Sequence, residues 1–350
     1  MEVAFRKRLH FWEGLDIMSM QDRENTWHLA FVGSGSIAAH HARLWTSQPG
    51  VTISAICDVS EPARQGLVEV ISAAGGSRPN TFASMEEMIA ACRDTLDAVY
   101  ICTPHCFHAA QALAAIESGL DVLLEKPMVM TAEEARAITA AQERSRSTVV
   151  IAYQGAMSPL VQDSAARIAK GEFGDLQAVS GVVWEDWAER YSGHWKQKPE
   201  ISGGGFMFDT GAHMLNTISM LVNSRISEIT ALAENAGREV DIVSSVTGRI
   251  DNGGLVSLLA VGNAPVRCAS QITLFLSKAI IRIDAWGEWR EIETVDGKGE
   301  RETIDVRKGM LASFMDIRQG KQINPSPPSQ GERFAELWDA IKSAWLVASP

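Results

Sequence analysis

Two short stretches of this 350-residue chain bring together side chains that can move protons at a hydroxyl-bearing carbon. "GGGFMFDTGAH", Gly203 to His213, puts a carboxylate at Asp209 and an imidazole at His213 four residues later, directly behind three successive glycines. Residues at i and i+4 share a helix face, so these two side chains are expected to point into one space. Glycine is the costliest residue to immobilise, and three in a row predict a sharp turn and a backbone that comes close to a bound molecule. Upstream, Glu125, Lys126 and Pro127 offer an ammonium followed by a proline that fixes the chain direction. An imidazole can take or return the proton of a hydroxyl, and an ammonium beside it stabilises the oxyanion that forms.

A second kind of chemistry lies near the start. "LAFVGSGSIAAHHARLW" sets Gly33, Gly35 and Ala38 in the G-x-G-x-x-[GA] spacing, after an apolar strand and at the opening of a helix. The first glycine permits the tight turn, the second lets a diphosphate approach the backbone, and the small third position lets helix and strand pack closely. Ser36 and Ile37 begin the helix, whose free N–H groups favour an anion. The next strand ends in Asp58, where a carboxylate would bond the adenosine ribose hydroxyls. The same carboxylate would repel the extra phosphate of NADP by up to about 4 kcal/mol at ~4 Å. NAD is the expected cofactor, and Arg64, close by in sequence, keeps NADP open. The competing reading of Asp58 is a helix cap.

From Trp27 to Ala152, runs such as "WHLAFVG", "VTISAIC", "LDAVYIC", "LDVLLE" and "STVVIAY" alternate with helical patterns, which predicts a parallel sheet wound by right-handed crossovers. Ser84 with Glu87, and Thr131 with Glu134, have the spacing of helix capping boxes. After Tyr153 come a helix over Pro159 to Lys170, a strand "LQAVSGVVW", the glycine segment, a helix to Val222 and a series of β-patterned segments. "DNGG" at Asp251 to Gly254 predicts a hairpin turn, and a last helix is expected over Glu332 to Val347. The expected fold class is α/β: a doubly wound parallel sheet over 27–152, then an α+β domain over 153–350 with an open, mainly antiparallel sheet. Residues 1–26 read as a flexible extension.

Between these stretches, Thr103, Pro104, His105 and His108 follow the strand that ends at Cys102. With the glycine loop before them, E-K-P next and G-G-G-x-x-x-D-x-G-x-H behind, the set of four motifs in order resembles the glucose-fructose oxidoreductase and inositol dehydrogenase (Gfo/Idh/MocA) family. The resemblance implies a Rossmann domain, NAD(P)-linked oxidation or reduction of sugars and related polyols, and a second-domain sheet used in a homodimer or homotetramer. It makes Lys126, Asp209 and His213 the catalytic set. The cofactor would be held by Gly33, Gly35, Ser36, Ile37, Asp58, Thr103, Pro104, His105, His108, Glu125 and Lys126. His105 departs from the asparagine common in the family. Two other readings stay open, a glycosidase that uses NAD for transient oxidation and a non-catalytic NAD-binding sensor.

"VVWEDWAERYSGHW" gathers Trp184, Trp187, Tyr191 and Trp195, which could stack on sugar faces or pack at an interface. Where the family often has arginine, the chain reads Gly155 and Ala156, which favours a neutral sugar or cyclitol and leaves Tyr153 and Gln154 as hydroxyl contacts. A formal charge of −11 argues against nucleic acid or an anionic membrane surface as partner, and no apolar run reaches the ~18 residues of a membrane-crossing helix. Five scattered cysteines suit free thiols and a cytoplasmic setting. Cys102, His105, Cys106 and His108 lack a second ligand pair of metal-site spacing, so no metal is expected.

Overall fold

The computed structural model describes residues 26–304 and 309–347, so the expected extension over 1–26 lies outside the described residues but for Thr26. Trp27–Val32 (β1), Val51–Cys57 (β2), Asn80–Phe82 (β3), Ala98–Ile101 (β4), Asp121–Leu124 (β5) and Val149–Ile151 (β6) form one parallel sheet in the order β3-β2-β1-β4-β5-β6. Strands β4 and β5 are buried at every position, as strands covered on both faces must be. The connecting helices are Ser36–Trp45 (α1), Glu61–Ala73 (α2), Met85–Cys92 (α3), His108–Glu117 (α4) and Ala132–Arg144 (α5). Thr131 and Glu134 make the full capping box of α5, whereas at α3 only Ser84 bonds, accepting from the Glu87 N–H. The order reverses between β1 and β4, and a crevice therefore opens at their carboxyl ends.

After Pro159–Ala169 (α6) comes Leu176–Trp184 (β7), the centre of a second sheet. Beyond Gly211–Val222 (α7) follow Ile226–Glu234 (β8), Val243–Ile250 (β9), Leu255–Val261 (β10), Ala269–Leu276 (β11), Ala279–Ile283 (β12), Trp289–Thr294 (β13), Gly297–Lys298 (β14) and Glu302–Thr303 (β15). Gly253 and Gly254 turn β9 into β10 with φ of 114° and 90°. The β7–β10 pair is parallel, and most of the rest is antiparallel. One face of this sheet packs on α7, and Gly181 on β7 makes room for it: a Cβ there would lie 2.8 Å from Met214 Sδ. The other face leaves Leu232, Leu255, Leu259 and Phe275 exposed.

The chain then returns to the parallel sheet. Met310–Arg318 (α8) lays Phe314 against Trp27, ring centroids 5.3 Å apart. Pro328–Ala344 (α9) packs along α5 and α7. It differs from the helix expected over Glu332 to Val347 at both ends. Pro328 occupies the first turn, where its missing N–H costs nothing, and at Trp345 the backbone turns extended so that Trp345–Val347 (β16) pairs in parallel with Ala231–Ala233.

A buried tie fastens α8 to the sheet. Asp121 accepts from the Thr148 N–H at 2.6 Å and from Arg318 Nε at 2.6 Å, and burial raises its pKa despite both bonds. Asp121→Ala would leave the part-buried Thr148 N–H without its partner and free Arg318, and chemical denaturation is expected to show a loss of about 1 kcal/mol.

Candidate functional site

The glycine loop is shaped by contact on one side and open space on the other. Gly33 has φ 101°, and a Cβ there would meet the Cys102 carbonyl oxygen at 2.8 Å; only glycine fits. A Cβ on Gly35 would meet nothing, and this residue is the N-cap of α1, where no side chain caps the helix. Beside it Ser34 Oγ is buried without a partner. An uncapped helix N-terminus, an open face at the second glycine and an orphaned hydroxyl fit a dinucleotide diphosphate. Asp58 accepts from the Ser34 and Ser60 N–H groups, both at 2.8 Å, so it pins the loop and shapes the start of α2 at once. Arg64 donates to the Asp58 carbonyl.

The loops after β4 and β5 complete one cleft of about 440 Å³, lined by Gly33, Gly35, Ser36, Ile37, Asp58, Thr103, Pro104, His105, His108, Glu125, Lys126 and Asp209 among others. His108 is fully buried, with Nε2 2.9 Å from the Thr103 carbonyl and Nδ1 3.0 Å from that of Pro127. It stitches the two loops together. His105 points inward as well. Its Nδ1 bonds the Ser202 carbonyl at 2.7 Å, and its ring meets Trp195 edge-on at 4.9 Å. Burial and neighbouring His108 push its pKa down to about 3. Glu125 accepts from the Tyr100 hydroxyl at 2.6 Å. Burial alone would raise its pKa, but His41, Tyr100 and Lys126 hold it at about 2.

Asp209 is the hub. Only 2% exposed, its carboxylate accepts from Lys126 Nζ at Oδ1 (3.0 Å), and from Lys196 Nζ (2.7 Å) and Trp187 Nε1 (2.9 Å) at Oδ2. Burial works against the charge, yet the two lysines hold its pKa well below the usual carboxylate range. The backbone takes part too. Rather than sharing one continuous helix, Asp209 ends a short turn, Phe206–Asp209, and His213 sits in α7. The His213 N–H bonds the Thr210 carbonyl at 3.2 Å, which frees the carbonyl of Asp209 to accept a second bond from Lys126 at 3.0 Å.

His213 lines a smaller cavity of about 90 Å³, which shares Ile37, Glu125 and Lys126 with the large cleft and also includes Gln154. Lys126 thus stands between the two spaces. Burial and then Lys126 push the His213 pKa down to about 3, so the imidazole is neutral. Its Nδ1 is buried without a partner. Tyr153 is wholly buried, its ring 6.2 Å from that of His213.

The three glycines answer to the protein rather than to a ligand. Gly203 has φ 81° and would crowd Met130, Gly204 would meet Trp338 at 2.5 Å, and Gly205 would strike the backbone of Asp241. Asp241 accepts from the N–H groups of Gly205 (2.7 Å) and Met207 (2.9 Å), which caps the turn that carries Asp209. The expected close approach is real, but its partner is internal.

Lys196 is the residue that the motif reading missed. It follows the aromatic stretch by one position, and that stretch divides between packing and site: Trp187 is buried on Asp209, while Tyr191, His194, Trp195 and Lys196 line the cleft. Glu185 faces away, bonding Arg190 and Thr210. Among the described residues no group of three or more His, Cys, Asp or Glu side chains could hold a metal ion.

Two family descriptions match the chain: an oxidoreductase family with an NAD-binding Rossmann fold over residues 27–153, and a GFO/IDH/MocA C-terminal domain over 161–282. The chain belongs to the Gfo/Idh/MocA family. Within the family it is similar to the D-glucoside 3-dehydrogenase of Escherichia coli K12, 25% identical over 342 residues that cover 89% of this chain and 93% of the other. It is 26% identical over 205 residues to an alpha-N-acetylgalactosaminidase of Bacteroides fragilis, covering 56% of this chain and 48% of that protein. The chain spans about half the length of several curated relatives that it matches. A solved levoglucosan dehydrogenase in complex with NADH and levoglucosan shares the fold, with a TM-score of 0.79 at 20% identity over 91% of this chain and 96% of the other.

Because Gly35 has ordinary backbone angles and open space around it, Gly35→Ala should leave stability within about 1 kcal/mol. The same change should weaken NADH binding about tenfold or more, as fluorescence titration would read. Acid acts through the buried imidazoles. Unfolded, His105 and His213 take a proton near 6.5, and folded only near 3, so the unfolded state binds protons first and stability falls as pH drops from 6.5 toward 3. Chemical denaturation of His213→Gln across that window should show a shallower fall than in the parent.

Proposed function

We propose that this chain is an NAD-dependent oxidoreductase that interconverts a hydroxyl and a keto carbon of a neutral sugar, cyclitol or related polyol. The observation that carries this reading is the convergence of Lys126, Asp209 and His213 beside the crevice at the carboxyl ends of the parallel strands. Nicotinamide, when bound, takes or returns the hydride. Gly33, Gly35 and the start of α1 would hold the diphosphate, and Asp58 the adenosine ribose, which favours NAD over NADP.

In the oxidation, the substrate C–H bond gives up a hydride, the O–H bond gives up a proton and a C=O bond forms. His213, kept neutral by burial and by Lys126, offers a lone pair for that proton. Lys126, which Asp209 holds at two points, supplies positive charge at the oxygen as negative charge develops there. Tyr191 and Trp195 wall the cleft and offer aromatic faces for the apolar side of a sugar ring. The exposed apolar face of the second sheet, Leu232, Leu255, Leu259 and Phe275, supports a homodimer or homotetramer. Free cysteines and the lack, among the described residues, of a helix able to cross a membrane are compatible with a cytoplasmic enzyme.

The test is NADH absorbance against a panel of sugars, inositols and aryl glycosides. Stoichiometric NADH is the expected outcome; aryl release without net NADH would instead mark a glycosidase, and silence throughout a sensor. Lys126→Ala and His213→Ala should each lose about 10²-fold or more in kcat while NADH still binds. Loss of binding together with turnover would sink the assigned roles.

A further inference from the structure

Lys196 carries more donor capacity than the fold uses. An ammonium has three N–H bonds and no acceptor, and Lys196 directs one of them to Asp209 Oδ2 at 2.7 Å. Another side of the group faces the Tyr191 ring, whose centroid lies 4.5 Å from Nζ. Among the described residues no further acceptor is bonded to it. The segment that carries it is held in place: Gln197 Nε2 donates to the Ala188 carbonyl at 2.7 Å, and Trp195 packs edge-on against His105. With 20% of its side chain exposed, Lys196 lines the cleft together with Tyr191, Trp195 and Asp209. One N–H is therefore left for whatever fills that cleft.

Lys126 is in the same position. Two of its bonds reach Asp209, at Oδ1 and at the backbone carbonyl, both at 3.0 Å, and its third N–H is unspent. The two lysines thus grip opposite oxygens of one carboxylate and line the same cleft. Trp187 Nε1 shares Oδ2 at 2.9 Å and keeps the carboxylate from turning between them. We propose that Lys196 is a specificity-determining residue that takes the hydroxyl oxygen next to the carbon under oxidation, so that the site selects a vicinal diol. The inference deepens the proposed function and rests on Lys126 standing at the reacting hydroxyl. Only one carboxylate separates the two ammoniums, so acceptors within reach of both belong to neighbouring carbons of a ring. A hydroxyl on the far side of the ring points away. A substrate lacking the neighbouring hydroxyl would leave the Lys196 N–H in the filled cleft with neither its acceptor nor the water it has lost, which is how a polar pocket discriminates most strongly.

The experiment changes enzyme and substrate in one cycle. Methyl β-D-glucopyranoside, D-xylose and myo-inositol from the panel are assayed with NAD beside their monodeoxy analogues, and the keto product identifies the carbon oxidised. In the parent, loss of a hydroxyl next to that carbon should lower kcat/KM about tenfold or more, and loss of a hydroxyl elsewhere much less. In Lys196→Met, the hydroxylated and the adjacent-deoxy sugar should be used within about twofold of each other. Lys196→Ala is a second uncharged variant in case the first fails to fold, and NADH fluorescence shows which of them is folded. A purely structural role, holding Asp209, would slow both sugars alike and leave their ratio at the parent value, and that outcome overturns the proposal. If the parent oxidises no panel sugar, the proposed function falls and the diol reading with it. Oxidation with an unchanged ratio defeats the diol reading alone.

Discussion

A carboxylate taken out of water stays ionised only where cations and hydrogen-bond donors replace the solvent it has lost. At Asp209 that replacement draws on segments far apart in the chain: Lys126 after β5, Trp187 and Lys196 from the aromatic stretch, and the interrupted helix that releases the Asp209 carbonyl. The supporting contacts follow from the same demand. Asp241 caps the turn that presents the carboxylate, and Trp338 on α9 fills the space that Gly204 leaves. A side chain at Gly204 or Gly205 would displace that turn and with it the meeting point of both lysines.

The cleft around this anion is assembled from loops that would otherwise be independent. The sheet supplies their direction, since the ends of β1, β2, β4 and β5 all face one crevice at the reversal of strand order. Side chains then lock the loops together. Asp58 holds the glycine loop, His108 joins the loops after β4 and β5, and His105 reaches the Ser202 carbonyl just ahead of the glycines. Two of the imidazoles near the site, His105 and His213, are buried and uncharged at neutral pH, and of these two His213 faces the smaller cavity.

Much of this was legible in the sequence because it is local. Apolar runs alternating with helical patterns predict the parallel sheet, and G-x-G-x-x-A, E-K-P and D-x-x-x-H pick out segments that line the cleft and the cavity beside it. What the sequence hides is long-range. Nothing at Gly205 announces Asp241 thirty-six residues later, so its crowding reads as room for a ligand. A lone lysine in an aromatic stretch resembles a solvated one until the fold brings it to Asp209. The interruption between Asp209 and His213 is likewise invisible to spacing, because four residues span one helical turn or two abutting ones equally well. The last helix stops early because the edge of β8, built more than a hundred residues before, offers its backbone to Trp345–Val347.

That pairing governs how such a broad sheet meets other surfaces. One rim ends in the three-residue β16 and the other in two-residue β14 and β15. Among the described residues each margin thus ends in a short strand, which limits how many peptide groups at the outermost strand a stray chain could pair with. Recognition on the flat side would depend instead on the fit of side chains such as Leu255 and Leu259, rather than on generic backbone pairing.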